Sequence, residues 1–366
     1  MGKKVLKFIR NIFFVILIIC VVFLLSVFIF DRYNNSQEKQ YLTDNGYVNP
    51  VSVGDYNLNT HIYGNENGKH TIVGISGMGS TDYAVGIQNI TESLSKDNKI
   101  VVIDRAGYGL SDDTFEEQTI DRIVNDYRNA LKNSGCEAPY VLMAHSLGGV
   151  YSSYWESTYP DEIEAVIYLD TTVISDLSAF DKDPEVWSVS ADDFINAVGT
   201  KAGLFRLLDV FEPLKPWASA TEENLEASKA FWYNSPYSFA MYSEAKLSLD
   251  NITKAHNSIK KNDIPKLFID ATTYTKEDMV EMIEYIDSLY TKMGLESELN
   301  PNDDKKMDEI WALRADEAKT IKSDAIDPYM EMLGNCTYTH IPGYHEIYSH
   351  KPKEVIKATT EFLEKL

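Results

Sequence analysis

Ten residues, Tyr140-Val141-Leu142-Met143-Ala144-His145-Ser146-Leu147-Gly148-Gly149, constrain this chain more than any others. The run begins apolar, as a buried strand does. It then meets His145-Ser146 and passes through two glycines into residues 150–159, which have helical character. A serine on a sharp turn between strand and helix has its hydroxyl thrust beyond the sheet edge, with the N-terminus of the helix aimed at it. Strand and helix nearly touch at such a turn, so the residues two before and two after the serine must be small. Ala144 and Gly148 fill those places. The same ten residues also suit an ordinary strand–glycine–helix turn with a surface serine, so the reading depends on what the rest of the chain supplies.

The rest of the chain alternates strands with helices. Short apolar runs at 71–75, 99–104, 165–170, 264–270 and 336–341 read as strands, and 51–63 reads as a hairpin about Gly54-Asp55. Helical spacing runs over 82–94, 119–133, 275–293 (closed by Gly294), 303–322 and 353–366. That order predicts an α/β fold with a doubly wound, mostly parallel sheet of about eight strands. It breaks at 171–262, which has helical stretches and many aromatics, among them Trp187, Phe194, Phe205, Phe211, Trp217, Phe231 and Phe239. This segment reads as a helical cap between two core parts, 50–170 and 263–366, the second carrying a helical insertion at about 275–330.

The N-terminus sets a second constraint. Lys3, Lys4, Lys7 and Arg10 precede an uncharged stretch, Ile12 to Phe30, close to the roughly 20 apolar residues that span a bilayer. A cleaved signal peptide is the alternative, but its apolar core is typically about 7–15 residues and ends in a small-residue cleavage site. Here the run is longer and passes straight into Phe30-Asp31-Arg32. The expectation is therefore a basic tail at 1–10, an uncleaved single-pass anchor at 11–30 and a polar linker at 31–49. The basic flank keeps the N-terminus in the cytoplasm and puts the large domain outside. A net charge of −22 argues against a nucleic-acid partner. Three cysteines without a Cys/His cluster make neither a disulfide framework nor a metal site, so no cofactor or metal is expected.

Four stretches, in order, resemble the α/β-hydrolases, and the resemblance spans 51–366. Ala144-His145-Ser146-Leu147-Gly148 is similar to that family's G-x-S-x-G nucleophile elbow, with Ala for the first Gly. Ser76-Gly77-Met78-Gly79 sits where the family has an H-G-x-G oxyanion loop, Ser76 replacing His. Asp104-Arg105-x-Gly107-x-Gly109-x-Ser111 matches a D-R-x-G-x-G-x-S marker. Gly343-Tyr344-His345 falls after the last strand and before the last helix, where the family's catalytic histidine resides. The resemblance implies Ser146 as nucleophile, His345 as its base, and the backbone N–H groups of Met78 and Leu147 as the oxyanion hole. It also implies a small-molecule acyl substrate, which the cap's aromatics suggest is apolar. Serine at the elbow argues against dehalogenase and epoxide hydrolase chemistry, whose relatives use aspartate there.

The acid is taken to be Asp170, with Asp270 and then Asp278 as alternatives. Relatives mostly carry it a few residues past the strand at 267–269, but that place falls near Tyr274, which is no carboxylate. Asp170 ends the preceding strand, where some relatives keep their acid; Asp270 ends its own strand; Asp278 lies in a helix start capped by Thr275. His145, His340 and His350 read as structural, and His61, His70 and His256 as surface or loop residues. Two functional classes follow: a membrane-anchored serine hydrolase of carboxylic esters, with peptidase or acyltransferase variants, and a non-catalytic binding protein on the same fold.

Overall fold

In a computed structural model, the structure describes residues 2–181, 191–209, 224–292, 297 and 299–366. Eight strands form one sheet: β1 (Pro50–Ser52), β2 (Asn57–Gly64), β3 (Thr71–Ile75), β4 (Lys99–Ile103), β5 (Tyr140–His145), β6 (Ile163–Leu169), β7 (Lys266–Asp270) and β8 (Cys336–His340), in the order β1-β2-β4-β3-β5-β6-β7-β8. β1 and β2 are antiparallel, as is β2 to β4; all later pairings are parallel.

The strands look uniformly apolar because both faces are covered. In β5, Leu142 and Ala144 point to one core and Val141 and Met143 to the other; in β4 the same split separates Val101 and Ile103 from Ile100 and Val102. Before the cap the helices are α1 (Gly2–Asp44), α2 (Tyr83–Gly86), α3 (Gln88–Leu94), α4 (Ile120–Asn133) and α5 (Gly148–Thr158). Thr119 caps α4, its hydroxyl accepting from the Arg122 N–H. The expected helix at 82–94 is split at Ile87. The cap holds α6 (Ser178–Asp181), α7 (Ala191–Lys201), α8 (Leu204–Asp209), α9 (Leu225–Asn234), α10 (Phe239–Lys246) and α11 (Ser248–Ser258). Then come α12 (Lys276–Lys292), α13 (Asp304–Ile321), α14 (Asp327–Leu333), α15 (Ile347–His350) and α16 (Pro352–Leu363).

Two sequence readings need correction, and parts of two others fall outside the described residues. The stretch 31–49, read as a linker, is helical as far as Asp44, so the apolar segment continues unbroken into the domain. Its domain-facing residues include Asp31, Asn35 and Glu38, which carry no apolar period, yet Asp31 and Leu42 are buried. His61, read as a surface residue, is buried on β2, where its Nε2 lies 3.1 Å from Asp104 Oδ2. Trp187, Phe211, Trp217 and Gly294 lie outside the described residues. The apolar part of α1 is long enough to cross a membrane by length and composition, which suits an anchor or a signal sequence.

Candidate active site

The turn after β5 holds Ser146 at a φ of 52°, in the left-handed region that a residue with a Cβ enters only when its surroundings force it. What forces it is close packing. A Cβ on Gly148 would stand 2.5 Å from the Ile75 carbonyl oxygen, and one on Gly149 only 1.6 Å from Thr171 Oγ1. Strand and helix can approach this far only without side chains at those positions. The Ser146 carbonyl accepts from the N–H groups of Gly149 and Thr172, which ties the turn to the end of β6.

The 76–79 loop runs over Ser146 so closely that a Cβ on Gly77 would meet Ser146 Cβ at 2.9 Å. The loop is anchored from below. Arg105 donates to the Ser76 carbonyl at 2.7 Å, to Ser76 Oγ at 2.8 Å and to the Gly77 carbonyl at 2.8 Å. The Nη2 that donates to Gly77 also lies 3.1 Å from Glu244 Oε1 on α10, with both side chains buried, and Glu244 also accepts from the Tyr151 hydroxyl. Tyr108 OH accepts from the Gly79 N–H at 3.1 Å. The D-R-x-G marker thus buttresses the loop, a role its spacing alone did not reveal. With Gly79 engaged, the neighbouring N–H of Met78 and that of Leu147 donate to no protein group among the described residues. They are donors in want of an acceptor beside Ser146.

His345 lies beside the elbow, its ring centroid 4.5 Å from that of His145. Its Nδ1 lies 2.6 Å from Asp170 Oδ2, and the Ala271 N–H donates to Asp170 Oδ1 at 3.0 Å. Asp170 has a φ of 44°, a second left-handed residue at a strand end. Burial pulls the imidazolium pKa down, but the hydrogen bond and the charge of Asp170, helped by Glu346, outweigh it and hold it above the ordinary value. Nδ1 is committed to Asp170, which leaves Nε2 for other work. Among the described residues Ser146 Oγ has no hydrogen-bond partner.

The other candidates lie elsewhere. Asp270 accepts from Tyr274 at 2.7 Å, from Tyr338 at 2.6 Å and from the Thr272 N–H at 2.9 Å, away from His345. Asp278 accepts from the Thr275 N–H at 3.1 Å while its own N–H donates to Thr275 Oγ1, a reciprocal helix cap. His145 is buried and donates from Nε2 to the His345 carbonyl at 3.0 Å; burial first, then the nearby His345, holds its pKa well below the ordinary value. It positions the loop as a neutral ring. His350 accepts from the Tyr344 N–H, and burial pushes its pKa down to about 4. His340 bonds the Thr272 carbonyl.

A cavity of about 370 Å³ opens against Asp170 and His345. Its far wall is Met282, Ile286, Arg314 and Ile321 of α12 and α13, so the helical insertion shapes this side of the site. The cap aromatics mostly pair with one another: Phe194 with Phe239 and Tyr242, Phe205 with Tyr237. Phe231 is buried against Leu42 and Val85. Among the described residues no cluster of His, Cys, Asp or Glu is arranged to hold a metal.

The fold these elements build is the α/β-hydrolase fold, and comparisons with known proteins agree. Residues 66–199 match a family described as Hydrolase_4: serine aminopeptidase, S33. The chain is similar along its whole length to the uncharacterized protein YbdG of Bacillus subtilis (strain 168), with 26% identity covering 100% of this chain and 99% of YbdG. Among solved structures it resembles the enol-lactonase of Burkholderia xenovorans LB400 (TM-score 0.54, 17% identity, 86% of this chain and 100% of that one). It also resembles the epoxide hydrolase CorEH (TM-score 0.55, 14% identity, 87% and 98%).

Proposed function

We propose that this chain is a serine hydrolase that cleaves a carboxylic ester or related acyl bond through an acyl-enzyme, held to a membrane by α1. The observation that carries the reading is the bond from His345 Nδ1 to Asp170 at 2.6 Å, beside a strained serine turn. An unactivated hydroxyl is a poor nucleophile, so His345 Nε2 takes the Ser146 proton as Oγ attacks the acyl carbon. Asp170 fixes the tautomer and supports the imidazolium that forms. The carbonyl oxygen becomes an oxyanion, which the Met78 and Leu147 N–H groups receive. Collapse expels the alcohol, protonated from Nε2, and water then releases the acid by the same steps in reverse.

The 66–199 match to a serine aminopeptidase family supports a second reading, in which the scissile bond is an amide. The chemistry is shared, and only the leaving group differs. The test is labelling of the full chain by a fluorophosphonate probe, followed by parallel assays on p-nitrophenyl esters and aminoacyl anilides. Wild type should label and Ser146→Ala should not, with ester turnover falling on the order of 10³-fold or more. Equal labelling of a folded Ser146→Ala variant would put the nucleophile elsewhere and overturn the mechanism, while no labelling of wild type leaves the non-catalytic binding reading in its place.

A further inference from the structure

α1 does more than end at the domain. Val27, Asp31, Asn35, Glu38 and Leu42 lie on one face of the helix, and Val27, Asp31 and Leu42 are buried. Arg206 of α8 reaches into this face. It donates to Glu38 Oε1 at 2.7 Å, to Glu38 Oε2 and Asn35 Oδ1 at 2.6 Å, and lies 3.4 Å from Asp31 Oδ1. The turn between α7 and α8 sits tighter still. Gly203 has a φ of 81°, and a Cβ there would stand 2.7 Å from Asp31 Cβ and 3.3 Å from the Val27 carbonyl oxygen. The cap is therefore seated on the last turn of the apolar stretch, where Phe30 gives way to Asp31.

That contact fixes the height of the cap. The nineteen residues 12–30 rise about 28 Å along a helix, close to the roughly 30 Å of a bilayer's hydrocarbon core. Once they are in a bilayer, Val27 to Asp31 mark its outer boundary. α7 runs into the Gly203 turn, so Val198 and Ile195 lie only about 8 and 12 Å from it along the chain. They form an exposed apolar face with Phe194: Phe194 is 46% exposed, Ile195 61% and Val198 45%, while Ala197 turns inward. The patch continues through Phe239 to Phe115, whose rings lie 4.4 Å apart and which is 82% exposed. Large apolar side chains clustered beside a membrane exit mark an interfacial surface.

We infer that the α7 face of the cap docks on the outer leaflet, with Phe194, Ile195 and Val198 in the boundary between headgroups and acyl chains. The inference rests on the anchored reading above. Its occupant is a lipid surface because α7 runs into the Gly203 turn, which packs on Val27 and Asp31 at the end of the apolar part of α1.

The test uses the full chain in phosphatidylcholine–phosphatidylglycerol vesicles, in a Cys20→Ser background, with spin labels on Ile195→Cys, Val198→Cys and Leu313→Cys. Leu313 is the reference, being 86% exposed on α13. Flotation reports anchoring, and relaxation by oxygen against a water-soluble nickel chelate reports depth. The labels at 195 and 198 should be several-fold more accessible to oxygen, relative to nickel, than the label at 313. Protein that floats but shows equal ratios at all three sites overturns the docking and leaves the anchor intact. Protein that does not float overturns both.

Discussion

Asp170→Asn tests the proposed site most sharply, because the structure dictates what the amide would do. Asp170 Oδ1 already accepts from the Ala271 N–H at 3.0 Å. An amide keeps that bond only with its oxygen toward Ala271, which turns its NH₂ toward His345 Nδ1. A donor facing Nδ1 selects the tautomer with the proton on Nε2, the nitrogen that must accept from Ser146. The imidazolium also loses the carboxylate that holds its pKa up. Together these losses should lower kcat by about 10⁴-fold, or on the order of 5 kcal/mol of transition-state stabilisation. The fold should barely register the change, since one exchanged hydrogen bond is worth about 1–2 kcal/mol. The assay is single-turnover ester hydrolysis alongside thermal melting, with Asp270→Asn and Asp278→Asn in parallel. Near-normal turnover in Asp170→Asn, with Asp270→Asn or Asp278→Asn inactive and folded, would refute the assignment and move the acid to that residue.

Other predictions follow from the same geometry. Because His345 must be neutral to act, kcat/KM should rise with pH through an acid limb lying above the ordinary histidine pKa of about 6.5, and the limb should move down in Asp170→Asn. The His345–Asp170 pair should stabilise the fold in full below that unfolded-state value and lose its contribution as pH climbs through the raised folded one, so melting and activity should trend oppositely there. Arg105→Lys keeps the charge but cannot hold Ser76 O, Ser76 Oγ and Gly77 O together; it should lower kcat far more than it changes KM, and equal changes in both would count against a role in the oxyanion loop. Lys266→Met leaves Glu156, its buried partner at 3.1 Å, without a counter-charge and should cost about 3–5 kcal/mol in denaturant melts, an effect Glu156→Gln should partly relieve in the double variant. With α1 as an anchor, protease added to intact cells should digest the domain; digestion only after lysis reverses the orientation.

How much of this was legible beforehand depends on the range of the forces involved. The elbow was, because its demand is local: small residues flank Ser146 within two positions of it, and the apolar run before it needs no partner to be recognised as a strand. The acid was legible only as an order, Asp170 before Asp270 and Asp278, for a reason visible in the sheet. β6 and β7 lie side by side in parallel register, Leu169 opposite Ile269, so Asp170 and Asp270 end neighbouring strands at the same level. Sequence position cannot separate two carboxylates that the topology makes equivalent. What separates them is company: Tyr274 and Tyr338 saturate one oxygen of Asp270, while Asp170, at positive φ, pairs with His345. Tyr274, at the place where most α/β-hydrolases carry the acid, is itself one of the donors to Asp270.

The helical course of residues 31–44 was hidden by a different effect. Amphipathic periodicity reveals a helix only when its buried face is apolar. Here that face is mainly Asp31, which is buried, and Asn35 and Glu38, which are half-buried, and Arg206, some 170 residues further along, pairs with both acids while Arg32 also pairs with Asp31. Such a face is costly unless paired, since an unmatched buried charge loses its water and gains nothing. The pairing therefore binds two segments that need each other: the cap's Arg206 requires the acids of α1, and Glu38 pairs with Arg206 alone among the described residues. Arg206→Ala should release both at once, letting 31–44 fray and the α8–α9 part of the cap loosen. Hydrogen exchange on the full chain should quicken in 31–44 and 204–209 while β5 and β6 keep their protection. Unchanged exchange in 31–44 would mean that the apolar contacts of Leu42 and Val27 suffice to hold the helix to the cap.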